Sequence, residues 1–178
     1  ANTNTRIRAP TTPDEVIALK PDLVAISSVT QCYNQARQVA ARVRRELDVP
    51  VILGGYHISA LPLRLDLEFA AGVLGEGELP MTDLVRCFRE TGCFEAERLR
   101  AIPGLCCREG PGRDDVVINP QPPRIAPDTL PRPLRNISRG ARNIVMFSSR
   151  GCAYRCEFCA STRHWGKLRT HSARFFVD

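Results

Sequence analysis

The sequence predicts an α/β fold: an open, doubly wound parallel sheet, then a proline-rich connector with a small hairpin, then the start of a barrel-type sheet. Three observations carry this. Short apolar runs of strand length alternate with segments whose apolar residues recur at helical spacing. Serine or glycine follows each run, as a parallel sheet needs where its strands turn into crossovers. Eight of the 14 prolines then fall between Pro103 and Pro133, a density that no regular core tolerates.

Residues 1–11 lack periodicity and read as a disordered lead-in. Thr12-Pro13-Asp14-Glu15 supplies a capping box with proline at the first helical position, and Pro21 stops the short helix it opens. Leu23-Val24-Ala25-Ile26 reads as a strand buried on both faces and ends in Ser27-Ser28. From Gln31 to Leu47 the apolar set Ala36, Val39, Ala40, Val43 and Leu47 has helical spacing, with Arg37, Arg44 and Arg45 left for solvent. Val51-Ile52-Leu53 is a second strand before Gly54-Gly55. Phe69–Leu74 is a third, before Gly75-Glu76-Gly77-Glu78, and the next helix carries Met81, Leu84, Val85 and Phe88 and stops near Gly92. In such sheets a ligand lies beyond the C-terminal strand ends, near the switch in strand order. The glycines there suit close ligand approach or tight turns alone. The pieces divide into a lead-in (1–11), an α/β domain (12–93), a connector with a hairpin (94–140) and the start of a further domain (141–178).

Composition removes several function classes. The chain has 178 residues, 43% hydrophobic and 25% charged, and no run of 18 apolar residues, so no membrane span is expected. No charged segment leads into an apolar one at the N-terminus, so a cytoplasmic location is expected. The net charge of +6 comes from 23 Arg against 2 Lys spread along the whole chain, which argues against a specific nucleic-acid surface. Eight cysteines without a secretory signal point to metal or redox chemistry.

The strand Ile144-Val145-Met146-Phe147 runs into Ser149-Arg150-Gly151-Cys152-Ala153-Tyr154-Arg155-Cys156-Glu157-Phe158-Cys159, a C-x3-C-x2-C loop. Three thiolates this close can surround one metal centre. In a four-iron cluster they leave one iron open to a substrate or cofactor. A structural zinc module is the alternative, with Cys152, Cys156, Cys159 and His164 as ligands and His171 as a further candidate. Zinc sites of that kind, however, come as paired hooks, and no second C-x2-C is present. Cys106 and Cys107 are adjacent and point to opposite faces of a strand, so they read as packing cysteines, as do Cys32, Cys87 and Cys93.

C-x3-C-x2-C with Phe158 before the last cysteine resembles the radical S-adenosylmethionine (SAM) superfamily. The preceding Lys20–Ser27, Gly54–Ser59 and Gly75–Glu78 pieces resemble the Rossmann-like cobalamin (B12)-binding domain that many such proteins carry, and Leu130-Pro131-Arg132-Pro133 fits the same architecture. The resemblance covers the chain from about Thr12 onward. It implies that Cys152, Cys156 and Cys159 hold a [4Fe–4S] cluster, that Phe158 lies near SAM, and that the barrel begins at the strand before the loop. Reductive cleavage of SAM to a 5′-deoxyadenosyl radical would follow, with hydrogen abstraction from a small-molecule substrate. An electron donor such as flavodoxin or ferredoxin would be a partner. Ser27, Ser28, Gly54, Gly55, Gly75 and Glu76 would contact cobalamin, whose part would be methyl transfer or tuning of the radical chemistry in cyclisation or oxidation. The Asp-x-His-x-x-Gly cobalt-ligand element is absent, and His57 reads as a loop residue rather than a cobalt ligand. His164-Trp165-Gly166 and Arg169 either cover a cofactor or pack the loop. Against the family pattern, both the α/β domain and the barrel read as incomplete. The expectation is a fragment that holds a cluster without turning over; the catalytic residues and the substrate are left unidentified.

Overall fold

The computed structural model describes Arg8, residues 12–110, Gly112, and residues 115–132 and 146–177, in two compact units, 1–121 and 122–178. The expected lead-in falls outside the described residues apart from Arg8.

The first unit begins with the capping box. Thr12 Oγ1 accepts the Glu15 N–H and the Glu15 carboxylate accepts the Thr12 N–H, opening α1 (Pro13–Leu19), which ends at a left-handed Lys20 before Pro21. Strands β1 (Val24–Ser27), β2 (Val51–Gly54) and β3 (Ala71–Val73) then form a parallel sheet with Val24 opposite Val51 and Ile52 opposite Ala71. Helices α2 (Tyr33–Leu47) and α3 (Tyr56–Ala60) lie in the two parallel crossovers, and α4 (Glu78–Thr91) follows β3. Helix α2 buries Ala36, Ala40 and Val43 as the spacing predicts, and α4 stops at Gly92, whose N–H donates to Phe88 O.

The sheet alternates between two cores. Val51, Leu53, Ile58 and Cys106 join α2 on one side; Ile52, Ala71, Val73 and Cys107 join Leu84 and Cys87 of α4 and Leu99 of α5 (Ala96–Arg100) on the other. Helices on both faces make the sheet doubly wound, the predicted class.

Several expectations change. Among the described residues β1 is an edge strand, paired with β2 alone, and of its residues Val24 is buried while Ala25 is exposed. The predicted hairpin, β4 (Leu105–Arg108) and β5 (Val116–Ile118), is no part of a connector. Strand β4 pairs antiparallel with β3, so the order is β1-β2-β3-β4-β5 and the unit runs to Gln121. This pairing covers the open edge of β3 and buries Leu105, Cys106 and Cys107 completely. The order contains no reversal among the described residues, so the predicted switch point is not found there. Asn119 locks the hairpin down: its buried Nδ2 donates to Leu99 O and Ile102 O, both at 2.7 Å. Arg37 and Arg44, expected to face solvent, hold the loop before β3. Arg37 pairs with Asp66 (3.0 Å) and Glu68 (2.8 Å), and Arg44 bonds Leu67 O. Cys87 packs as expected, whereas Cys32 and Cys93 are exposed.

In the second unit, β6 (Ser149–Arg150) pairs antiparallel with β7 (Arg169–Thr170), flanked by α6 (Ala160–Trp165) and α7 (Ala173–Val177). The strand predicted at Ile144–Phe147 differs: Ile144 and Val145 lie outside the described residues, Met146 and Phe147 are not in a strand, and pairing starts at Ser149.

Gly72 tests the tightness of the sheet. A Cβ there would lie 2.5 Å from Cys106 Sγ and 2.7 Å from Ile58 Cγ1. Gly72→Ala should cost about 1–3 kcal/mol by overpacking, read as a lower urea midpoint at unchanged slope; an unaltered midpoint would contradict this packing.

Candidate functional site

The three loops that the sequence marks as ligand-facing converge at the C-terminal edge of the parallel strands. Ser28 N–H donates to Gly54 O (3.0 Å) and His57 N–H to Ser28 O (3.1 Å), so the loops after β1 and β2 are joined backbone to backbone. Gly55, at φ +94°, makes that contact possible: a Cβ would sit 2.7 Å from both Ser27 Oγ and Ser28 O. The loop after β3 is held by a residue the sequence reading did not single out as a site. Ser59, on α3 (Tyr56–Ala60), accepts the Gly75 N–H (2.9 Å) and donates to Gly55 O (2.8 Å). Gly75, at φ +68°, has only Gln121 Oε1 within reach of a Cβ, at 3.5 Å, and at Gly54 a Cβ would meet only Ile26 O at 4.0 Å. The result is one continuous rim of open backbone, with Ser27 exposed and Glu76 half-buried.

Ser28 does not belong on that rim. It is 4% exposed and its hydroxyl donates to Val29 O, so it is a building residue rather than a ligand contact. His57 also departs from expectation. It lies in α3 at 5% exposure, its ring stacked on Tyr33 at 3.7 Å and its Nδ1 3.2 Å from Thr30 Oγ1, while Nε2 is enclosed without a partner. Tyr33 Oη in turn contacts Asp66 Oδ2 and Arg64 O, both at 2.9 Å. Burial lowers the His57 pKa, and the Asp66 carboxylate only partly offsets this. Burial first, and the bond to Asp66 second, push the Tyr33 phenol up.

In the second unit the cysteine loop joins β6 to α6. Gly151, at φ +97°, turns the chain beside Lys167 O, where any side chain would strike backbone. Cys152 and Cys159 are half-buried and Cys156 exposed, while Tyr154 (74%) and Phe158 (93%) stand in solvent. Cys159 is the N-cap residue of α6. The N–H of Ser161, then its hydroxyl and the Thr162 N–H, hold this thiol below its ordinary pKa. Among the described residues no three His, Cys, Asp or Glu side chains meet at a point that a metal ion could fill. The donors are nonetheless three accessible soft sulfur ligands on one loop, one biased toward thiolate, which is the chemistry an iron–sulfur cluster needs.

The zinc candidates do not gather around them. His164 lies edge-on to Trp165, with ring centroids 4.8 Å apart. The Nδ1 of His171 lies 3.1 Å from Asp128, and its N–H bonds Ser148 O, at the other end of the β6–β7 ribbon from Cys152. Trp165, Gly166 and Arg169, left open above, pack the loop. The Arg150 guanidinium lies 5.6 Å over the Trp165 ring, and Arg169 bonds Ile125 O at 2.7 Å.

A family model described as the B12 binding domain matches residues 2–85. The chain is 30% identical to the "uncharacterized methyltransferase PH0819" of Pyrococcus horikoshii, over 89% of this chain and 36% of that protein. It is 29% identical to the anaerobic magnesium-protoporphyrin IX monomethyl ester cyclase of Rubrivivax gelatinosus, over 93% of this chain and 31% of that one. The chain thus spans about a third of the length of these relatives. A solved structure of TsrM from Kitasatospora setae, a radical SAM methyltransferase with cobalamin and a [4Fe–4S] cluster bound, matches with TM-score 0.66 at 22% identity, over 93% of this chain and 36% of that one. That likeness shows a shared fold. The B12-binding part of the resemblance read from the motifs is the part that the family model matches. No helix among the described residues is long and apolar enough to cross a membrane.

Two predictions follow from the titrating groups. His57 is the sole histidine of residues 1–121, and its folded pKa lies below the ordinary 6.5. As pH falls, the unfolded chain takes up this proton first. The unit therefore has its full His57 contribution above about pH 6.5 and loses it progressively below. Ring ¹⁵N shifts should show a midpoint under 6.5, together with denaturant stability that declines from pH 7 to 5.5; a midpoint above 6.5 would contradict the enclosure of the ring. Among the thiols, burial first, and then Cys107, pushes Cys106 up to about 12, and burial also raises Cys107. In metal-free native protein iodoacetamide should label Cys159 and leave Cys106 and Cys107 untouched until denaturant is added, as read by peptide mass spectrometry.

Proposed function

We propose that this chain is the cofactor-binding portion of a cobalamin-associated radical SAM enzyme. The observation that carries the reading is the three-thiol loop, with Cys159 at the N-cap position of α6, in a chain whose residues 2–85 match the B12 binding domain model. Cys152, Cys156 and Cys159 would hold a [4Fe–4S] cluster. Such a cluster supplies an electron to cleave SAM reductively, and bound cobalamin supplies methyl-transfer or radical-tuning chemistry.

The chain's own residues hold and shield. Gly151 lets the backbone turn against Lys167 so that Cys152 starts the loop at the end of β6. The amide groups of Ser161 and Thr162 stabilise the Cys159 thiolate for metal. Phe158, wholly exposed, offers an apolar face and adjacent backbone to SAM. On the first unit, Ser27, Gly54, Gly55, Gly75 and Glu76 form the rim along which the cobalamin tail would lie, and Ser28 and Ser59 build it. No histidine of this unit reaches the rim to ligate cobalt, because the His57 ring is turned against Tyr33. A small-molecule substrate, a flavodoxin- or ferredoxin-type electron donor, and a cytoplasmic setting complete the reading. Methylation, cyclisation and oxidation all fit it.

Anaerobic reconstitution of the full chain with iron and sulfide should give a brown protein whose absorption dithionite bleaches. Replacing Cys152, Cys156 and Cys159 together by alanine should abolish the colour, while Cys32→Ser with Cys93→Ser should keep it. A colourless product with one zinc per chain would overturn the cluster assignment. Separately, hydroxocobalamin should co-elute with the chain in gel filtration; its complete loss would overturn the cobalamin assignment.

A further inference from the structure

We infer that Arg124 is a positioning residue for the cysteine loop, acting through α6 to fix Cys159; the inference rests on the cluster reading above. Helix α6 has six residues, too few to persist on intrinsic propensity. Cys159 occupies the position just before its N-terminus. At the other end Arg124 donates from Nη1 to Trp165 O (2.6 Å) and from Nη2 to His164 O (3.0 Å). One rigid fork thus satisfies two of the carbonyls that a helix end leaves over and places a cation where the helix dipole favours it. Arg124 comes from 41 residues upstream, so the tie is tertiary and is not dictated by the loop's own sequence.

Neighbouring residues make the grip specific. Gly166, at φ +67°, lies so close that a Cβ would stand 3.1–3.2 Å from three guanidinium atoms of Arg124, so a side chain there would push the fork away. Arg169 Nη1 donates to Ile125 O (2.7 Å), fastening the residue next to Arg124 to β7, the strand that pairs with β6. Arg150 over the Trp165 ring closes the loop from its other end. Residues 151–164, with all three cysteines, run between two anchored points and are tied within by Thr162 Oγ1 to Tyr154 O and Cys159 N–H to Cys156 O; Arg124 holds the anchor at the Trp165 end.

The test uses the full chain, reconstituted anaerobically, as wild type, Arg124→Ala and Arg124→Lys. Iron and sulfide per chain, the rate of iron loss to a chelator, and the electron paramagnetic resonance spectrum of the dithionite-reduced protein are measured, with hydroxocobalamin retention as a check on the first unit. Arg124→Ala should lose iron roughly tenfold faster, the scale of one or two charge-assisted hydrogen bonds, with a shifted spectrum and unchanged cobalamin retention. Arg124→Lys, which keeps the charge but not the fork, should fall between. If wild type takes up no iron, the cluster reading fails. If wild type does and Arg124→Ala matches it in iron content, loss rate and spectrum, the positioning role fails. Should Arg124→Ala not fold, Arg124→Lys decides alone: wild-type rate and spectrum overturn the inference, and an intermediate rate supports it.

Discussion

The first unit depends on one close approach of backbone to backbone. Gly55 lies against Ser27 and Ser28 with no room for a side-chain atom, and two hydrogen bonds through Ser28 seal the contact. That contact brings the loop after β2 onto the loop after β1. It starts α3 directly at the sheet edge and so places Ser59 where it can bind Gly75 and recruit the third loop. Remove it, and the rim has no reason to be continuous. A ligand with a long polar tail needs such a surface: backbone groups in a row, glycine where side chains would obstruct, and a rigid base.

The base is rigid because polar groups beneath it are tied across elements. Tyr33, at the start of α2, bonds Asp66 and Arg64 of the loop before β3 and stacks on His57 of α3, while Arg37 clasps Asp66 and Glu68. Partly buried ion pairs contribute little net stability by themselves, but they specify how segments meet. Here they hold the underside of the loops whose upper side is the rim. The enclosed imidazole Nε2 is a cost within this arrangement, tolerated because ring stacking and the Thr30 contact keep His57 in place.

The second unit repeats the logic with different parts. Its loop contains no core, so the ends must be held from outside: Arg150 on Trp165, Arg124 on the last carbonyls of α6, Arg169 on Ile125. The arginine excess, spread along the whole sequence, is partly explained. In both units arginine forks reach backbone carbonyls and carboxylates in places where a lysine could satisfy only one partner at a time.

Local chemistry made much of this legible in advance. The capping box at Thr12, the helical spacing of Ala36, Ala40 and Val43, the stop at Gly92, and the alternation that sends Cys106 and Cys107 to opposite cores are all set within a few residues. So are the glycine loops and the spacing of Cys152, Cys156 and Cys159. What required the fold is what depends on neighbours distant in sequence. The run Leu23–Ile26 looks doubly buried whether its strand is central or at an edge, and only pairing shows β1 to be an edge. The hairpin in a proline-rich stretch joins the sheet because the open edge of β3 needs covering. Ser28 and His57 turn inward, and Ser59 and Arg124 acquire their roles, through contacts no local pattern encodes. Composition and spacing thus determined which chemistry the chain can hold; packing between remote segments decided which side chains face it and which hold it in place.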